Sequence, residues 1–442
     1  MKYQVFTILL IIFLVGSEAL CETVKDREGS VRNDRAKMEN NTRWIYSDID
    51  KGFEEAKKSG KPLMVVLRCV PCLACMGIDT QVLTESVELT PLMNRFVRVR
   101  VINANALELS LFQFDYDLSF TTLFFNGDGT VYGRYGSWSH QKDSQNRATA
   151  SFKHALEGAL RIHQNYPANK ASLAGKQGKP SRFKTPIDMP RLKGKYRLDL
   201  NWNDKVVQSC VHCHMIGDAI RHSYRDSKQV LPDKWIYSFP PPDTIGIQMA
   251  EAEPWKIEAL AAGSSAAVAG LKTGDEIVSL SGQPLISTAD FSWVLHNSPD
   301  SGVLSTVVKR DGKDTTINIE LPAGWRTGSD ISDRVGTWPM RAMAFGGMLL
   351  VELSERERNT HKLASGVLAL YAKHVGQYGI HAAAKREGFR KGDIIVEIAG
   401  STKNLTESEL IGRLIQNYKP GQKVPVTVLR KGIRKKLKIP VQ

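Results

Sequence analysis

The sequence predicts a multidomain chain: an α/β layered domain, a short cysteine-bearing segment, then two small α+β domains in tandem. Three observations carry this expectation. Helix and strand signals alternate from Trp44 to about Pro167, with a cysteine cluster directly after a buried-strand run. A second cysteine cluster stands apart, at Cys210 and Cys213. Beyond it, Gly270-Leu-Lys-Thr-Gly-Asp-Glu-Ile-Val278 matches Gly388-Phe-Arg-Lys-Gly-Asp-Ile-Ile-Val396, and Arg310-Asp-Gly312 matches Arg430-Lys-Gly432 at nearly the same offset. Two copies cannot make a solenoid, so the repeat reads as paired small domains. A length of 442 residues suits about three domains at roughly 150 residues each. With 42% hydrophobic and 24% charged residues, collagen-like, wholly disordered and multi-span membrane chains are excluded.

Residues 1–21 read as an export signal. Lys2 gives the positive start, Val5 to Val15 is an uncharged apolar run, and Ser17-Glu18-Ala19 offers small residues for cleavage. The run is shorter than the roughly 20 residues a membrane span needs. Leu20 is bulky where a lipidation site at Cys21 wants a small residue. An extracytoplasmic, periplasmic location follows, with membrane contact limited to the signal or to transient encounters. The net charge of +14, from 60 Lys and Arg against 46 Asp and Glu, permits anionic partners, but export argues against nucleic acid.

Residues 22–43 are charged and poor in apolar side chains, which predicts a disordered tether. Over 44–167, Ser47 or Asp48 caps a helix through Phe53 and Ala56 to Lys58, stopped by Gly60. Pro62 to Leu67, Val97 to Ile102 and Thr122 to Phe125 are strands. Gly127-Asp128-Gly129 turns into Thr130-Val-Tyr132. Ala148 to His163 is an amphipathic helix with Phe152, Ala155, Leu156, Ala159 and Leu160 on one face. Residues 168–200, rich in Lys, Gly, Pro and Ser, read as a linker, and 201–242 as a short separate segment ending in Pro240-Pro-Pro242.

Cysteines meant only to close loops would be spread along the chain, whereas Cys69, Cys72 and Cys75 lie within seven residues. A thiol at a helix start is acidified by the free N–H groups there, and Arg68 adds positive charge. A second sulfur three residues on can resolve a mixed disulfide. Cys69/Cys72 and Cys72/Cys75 both satisfy the spacing. Residues 44–165 resemble the thioredoxin-like superfamily. The resemblance implies redox-active cysteines, with Cys72 attacking, Cys75 resolving and Cys69 as a third relay thiol. One departure is Thr121, standing in Phe120-Thr-Thr-Leu123 where the family places a cis-proline before a strand.

Cys210-Val-His-Cys213-His214 satisfies the C-x-x-C-H pattern of covalent c-type haem attachment. Cys210 and Cys213 would take the vinyl groups and His214 the iron, making haem c the cofactor expectation. Trp202, Ile216, Ile220 and Trp235 are available to cover the ring, and His222, Met215 or Met249 to supply the opposite ligand. A zinc site using His212, His214 or His222, and a plain thiol or disulfide pair, remain open beside it.

Each repeat, over 243–325 and 326–442, resembles a PDZ domain of the bacterial, protease-associated kind. The first carries Thr244-Ile245-Gly246-Ile247, Gly263-Ser-Ser-Ala-Ala267 and Ala269-Gly-Leu-Lys-Thr-Gly-Asp275. The resemblance implies a carboxylate-binding loop at Ile245, Gly246 and Ile247, and at Gly346, Gly347 and Met348 of the second copy. The helices beside the grooves are placed at Asp290 to Leu295 and Leu405 to Ile415. A peptide would add to the sheet edge as an extra strand. Glu352 to Tyr378 reads as a helical or irregular insertion able to occlude the second groove. The basic tail, Arg430 to Lys438, reads as a solvated sheet edge. No Gly-x-Ser-x-Gly elbow is present, so no serine nucleophile is assigned.

The whole order resembles exported bacterial thioredoxin-like/PDZ proteins, some of which carry selenocysteine in the redox motif. It implies an extracytoplasmic thiol–disulfide oxidoreductase whose PDZ pair holds protein or peptide clients, with its redox partner unknown. A non-catalytic PDZ adaptor and a haem electron-transfer protein are the alternatives.

Overall fold

The structure is a computed structural model that describes residues 26–70, 87–118, 120–136, 145–250, 253 and 255–442. The expected signal and Cys72 and Cys75 lie outside the described residues. The first domain is built on a mixed five-stranded sheet in the order β1-β3-β2-β4-β5. Its strands are β1 (Ile45–Tyr46), β2 (Leu63–Arg68), β3 (Val97–Val101), β4 (Phe120–Phe125) and β5 (Val131–Tyr135). β2 runs parallel to β3 and antiparallel to β4, and all six of its residues are buried. Continuous apolar runs of this kind suit a central strand covered on both faces. One cover is α2 (Ile49–Ser59), capped by Asp48 on the Lys51 N–H and ended by Gly60 in the left-handed region at φ 68°. The other is a longer helix, Gln145–Gln164, whose Phe152, Ala155, Leu156, Ala159 and Leu160 are buried as the periodicity predicts.

Two segments expected to be loose are ordered. Arg27–Glu39 is a helix, α1, capped by Asp26 and burying Val31 and Met38. Composition misleads here because the charges find fixed partners. Asp34 pairs with the fully buried Arg100 on β3, Arg32 donates to the Trp202 and Asp204 carbonyls, and Glu28 accepts from the Val206 and Val207 N–H groups. The supposed linker at 168–200 likewise packs, with Leu173, Lys176, Met189 and Leu192 buried. Its polar residues obscured the few apolar anchors that hold it.

Both repeats fold as small sheet domains. The first has the sheet β11-β10-β8-β9 and a two-stranded β6-β7 ribbon. β6 is Ile247–Met249, β7 Ile257–Leu260, β8 Glu276–Leu280, β9 Gln283–Pro284, β10 Gly302–Arg310 and β11 Lys313–Leu321. The second is the sheet β12-β13-β14-β15-β16, formed by Met348–Glu352, Leu370–Val375, Ile394–Ile398, Lys423–Arg430 and Ile433–Pro440. The repeated motifs prove to be one device. Arg310 clamps Asp275 through two bonds of 2.7 Å and also donates to the Gly270 carbonyl. Arg430 does the same to Asp393, at 2.6 and 2.7 Å, and to Gly388. The stretch expected to be a helical or irregular insertion holds one short helix, Glu355–Thr360, but also supplies β13, which bridges β12 and β14. Its alternation was hidden because Leu368 to Ala372 is nearly all apolar and buried on both faces. The basic tail forms the edge strand β16.

Candidate functional site

Cys69 follows the last residue of β2, where the central strand delivers its side chain to the C-terminal edge of the sheet. Its Sγ lies 3.2 Å from Nδ1 of His212. The two cysteine clusters, remote in sequence, therefore meet. The 210–213 segment is held there by Asn105, whose side-chain oxygen accepts the Val211 N–H at 2.7 Å. Its amide nitrogen donates to the Ser209 carbonyl at 2.8 Å, and the Ala104 N–H donates to the Val211 carbonyl at 2.9 Å. His212 is the residue preceding a helix, Cys213–Asp226, that buries Ile216 and Ala219 in the first domain's core. A thiol and an imidazole at this distance can share a proton, which is the arrangement that generates a thiolate at neutral pH.

The other two thiols differ. Burial, with a smaller contribution from Glu28, pushes Cys210 up to about 11. Burial pushes Cys213 up to about 12. Cys210 is 4% exposed and its thiol donates to the Val206 carbonyl at 3.3 Å. Both stay protonated at neutral pH and are poor nucleophiles there.

Covalent haem needs both thiols and the imidazole turned to one open face under an apolar cover. The candidate cover is dispersed. Ile216 and Ile220 belong to the first domain's core, Trp202 packs with α1 and carries Arg35 over its ring at 4.3 Å, and Trp235 packs against the second repeat. Met249 lies against the core of the first repeat. Met215 accepts the His212 N–H and the Tyr196 hydroxyl. His214 faces solvent, 3.7 Å from Asp218, and burial together with Arg191 lowers His222. These residues as folded do not fit a haem. Among the described residues no three His, Cys, Asp or Glu side chains gather as a metal cage.

The family position expected at Thr121 also moves. β4 begins at Phe120, Thr121 pairs with Leu67 inside the ladder, and its hydroxyl donates to the Tyr135 carbonyl. The residue before the strand is Ser119, outside the described residues.

The two expected peptide grooves are unlike each other. In the first repeat Ile245 and Ile247 are buried, and Gly246, at φ 86°, donates its N–H to the Asp243 carbonyl. Among the described residues β6 pairs with β7 alone, so its second edge is unpaired. The groove helix, Thr288–Asn297, is buried from Ala289 to His296 because its outer face is fastened to the first domain. Asp290 accepts the Arg134 N–H at 3.0 Å and Lys176 Nζ at 2.7 Å. Trp293 donates to the Gly175 carbonyl and takes the Arg134 guanidinium over its ring at 3.6 Å. Gly133 on β5 permits this approach, since a Cβ there would stand 2.5 Å from Ile286 Cδ1. Sequence reading missed this docking, and Asp290, an acid inside an apolar helix, was its visible sign.

In the second repeat the Gly346 and Gly347 N–H groups close the preceding helix, Thr337–Phe345, onto the Ala342 and Arg341 carbonyls. Met348 is fully buried. Glu407, at the start of the groove helix Glu407–Asn417, accepts the Leu350 N–H of β12 at 2.7 Å and pairs with Arg341 at 2.5 Å. A carboxylate of the chain itself thus spans strand and helix where a peptide strand would lie. The carboxylate loop expected at Gly346 and Gly347 is spent on helix termination.

A thioredoxin-like family model matches residues 44–127, and a PDZ domain model matches 244–321 and 375–441. A probable periplasmic serine endoprotease DegP-like of Pseudomonas savastanoi pv. phaseolicola is 28% identical over 167 residues, 38% of this chain and 33% of that protein. The periplasmic serine endoprotease DegP of Escherichia coli strain K12 is 30% identical over 145 residues, 33% of this chain and 26% of that protein. The chain spans a third or less of the length of these relatives. A solved structure described as HtrA-type protease AlgW with decapeptide matches with TM-score 0.21 and 15% identity, covering 31% of this chain and 48% of that one. Strand order, repeat and family matches agree: the chain is a multidomain protein with an N-terminal thioredoxin-like domain and two PDZ domains.

Proposed function

We propose that the protein is an extracytoplasmic thiol–disulfide oxidoreductase whose first PDZ domain holds the polypeptide client. The observation that carries this reading is the 3.2 Å approach of Cys69 Sγ to His212 Nδ1 at the C-terminal end of the central strand. In the reductive direction a thiolate of the Cys69-Cys72-Cys75 cluster attacks one sulfur of a client disulfide. The client's S–S bond breaks, its other sulfur leaves as a thiolate, and a mixed disulfide forms. A second cysteine of the cluster then displaces the client, which departs with both electrons as a dithiol while the cluster keeps the disulfide. Cys72 attacking and Cys75 resolving is the assignment the thioredoxin resemblance supports. The open edge of β6 suits strand addition, and holding the client there raises its concentration at the thiols. The export signal expected at residues 1–21 and the likeness to periplasmic proteins support the location.

Reduction of insulin by the parent protein and by Cys72→Ser and Cys69→Ser variants tests the reading. Turnover lost on Cys72→Ser supports it; equal, negligible rates in all three would leave a PDZ adaptor. Expression in a haem-maturing host followed by a pyridine haemochrome spectrum should show no haem band, and a stoichiometric band would overturn the thiol reading of Cys210 and Cys213.

A further inference from the structure

The net charge is not spread evenly. Residues 371–442 hold fifteen lysines and arginines against five acids, so ten of the fourteen net positive charges sit in the last part of the second PDZ domain. Neither thiol exchange nor peptide capture uses them.

One face of that domain combines this charge with exposed apolar side chains. The loop after β13 has four consecutive exposed residues, Gln377 to Ile380, with Tyr378 86% and Ile380 51% exposed. Behind it Trp338, 36% exposed, stacks on His381 at 5.3 Å. The loop is tied in place: Lys385 Nζ donates to Gln377 Oε1, Arg386 to the Gly379 carbonyl and Gln442 Nε2 to the Ile380 carbonyl. Around it Lys373, Lys385, Arg386, Arg390 and Lys391 are exposed, and among the described residues none forms a salt bridge. The neighbouring acid, Glu387, is already paired with Lys423 at 2.6 Å. Lys385, Arg390 and Lys391 line an open cleft of about 450 Å³ with His374 and Gln377.

We propose that this face docks on an anionic phospholipid bilayer. Tyr378 and Ile380 enter the headgroup layer, while Lys385, Arg386, Arg390 and Lys391 meet lipid phosphates, one of them in the cleft. A rigid, projecting loop with an aromatic tip fits a penetrable surface better than a flat protein partner, because an aromatic ring with a polar end favours the membrane interface. Each cation near an anionic leaflet adds a modest, salt-sensitive attraction, and four or five acting together suffice for reversible binding. No described helix is long and apolar enough to cross a membrane, so the contact is peripheral. The proposal is independent of the thiol chemistry and can fail without it.

Co-sedimentation of the full chain with vesicles of mixed phosphatidylglycerol and phosphatidylcholine, and of phosphatidylcholine alone, tests it. Binding to the mixed vesicles, released by raised salt, is expected. The Lys385→Glu/Arg386→Glu/Lys391→Glu variant should bind roughly tenfold more weakly or worse. Tyr378→Ser/Ile380→Ser should also weaken binding while keeping its salt dependence. The apolar segment at 5–15 is common to all variants, so the differences between them report on this face alone. Unchanged melting temperatures check that the variants are folded. Equal binding to neutral vesicles, undiminished binding of the charge-reversed variant, or capture of the parent by heparin but not by vesicles would each overturn the proposal.

Discussion

Cys69 and His212 are separated by 143 residues and 3.2 Å, and the chemistry assigned to the first domain depends on the shorter number. Replacing His212 by alanine removes the group able to take the thiol proton. Alkylation of Cys69 by iodoacetamide at pH 7 should then slow by roughly an order of magnitude. An unchanged rate would make the contact structural only. Cys210 and Cys213 should react slowly in the native protein until the pH approaches 11 to 12, and rapidly once it is unfolded, because burial is what holds their protons. The sequence made both cysteine clusters visible but not their meeting. The C-x-x-C-H spacing is satisfied equally by haem, zinc or bare thiols, and the environment decides. Here Ile216 belongs to one core, Trp235 to another and Trp202 to a third, so among the described residues these side chains do not gather over one face.

At the scale of elements, the strands and helices with plain periodicity fall where their patterns place them, and the misjudged ones are two polar segments ordered by partners far along the chain and the largely apolar stretch that enters β13. Nothing local in Arg27–Glu39 announces Arg100, yet the Asp34 pair with it fixes the helix. The repeated Gly-Asp turn was legible, and its partner arginine was visible as a second repeat whose purpose only the fold explains. Burial opposes ionisation of Asp275, but the Arg310 clamp and the Lys272 N–H outweigh it and hold the carboxyl below its usual range. A folded-state value below the unfolded one stabilises the protein above the unfolded value, near pH 4, and the benefit is lost as pH falls through the folded one. Asp275→Asn should therefore reduce stability at pH 7 and flatten the acid limb of the stability curve; a parallel, unflattened curve would contradict the assignment. In the second repeat Glu407→Ala strands the buried Arg341 and the Leu350 N–H. Loss of about 3 kcal/mol in urea unfolding is expected, the usual scale for breaking a buried pair. A loss below about 1 kcal/mol, the scale of a surface pair, would show the bridge between β12 and its helix to be incidental.

Across the whole molecule the domains are joined by buried ions as well as by apolar contact, Ile286 of the first PDZ domain lying in the core that holds Tyr132 and Phe152. Lys176 meets Asp290 at the first PDZ domain, and Arg334, leading into the second, pairs with Asp115 and, at 3.0 Å, with Asp117 of the first domain. Arg221 closes the group, 3.5 Å from Asp117 and 3.2 Å from Asp218. These side chains are almost wholly buried, apart from Asp218 at the group's edge, so each charge depends on its partners for the solvation it has lost. Burial raises Asp115 from 3.8 to about 6 despite Arg334, whereas Arg221 and Arg334 outweigh burial at Asp117 and lower it. The signs are therefore opposite. Asp115 contributes most when protonated, at low pH, and its contribution fades as pH rises through about 6. Arg334→Ala removes the cation that makes an ionised Asp115 tolerable. At pH 8 both aspartates are charged and the loss should be about 3–5 kcal/mol. At pH 5 Asp115 can keep its proton, so the loss should be clearly smaller. Urea unfolding of parent and variant at the two pH values measures the difference. Equal losses would mean that the carboxyls are hydrated once Arg334 is gone, and that the second PDZ domain is held to the first domain by something other than this cluster.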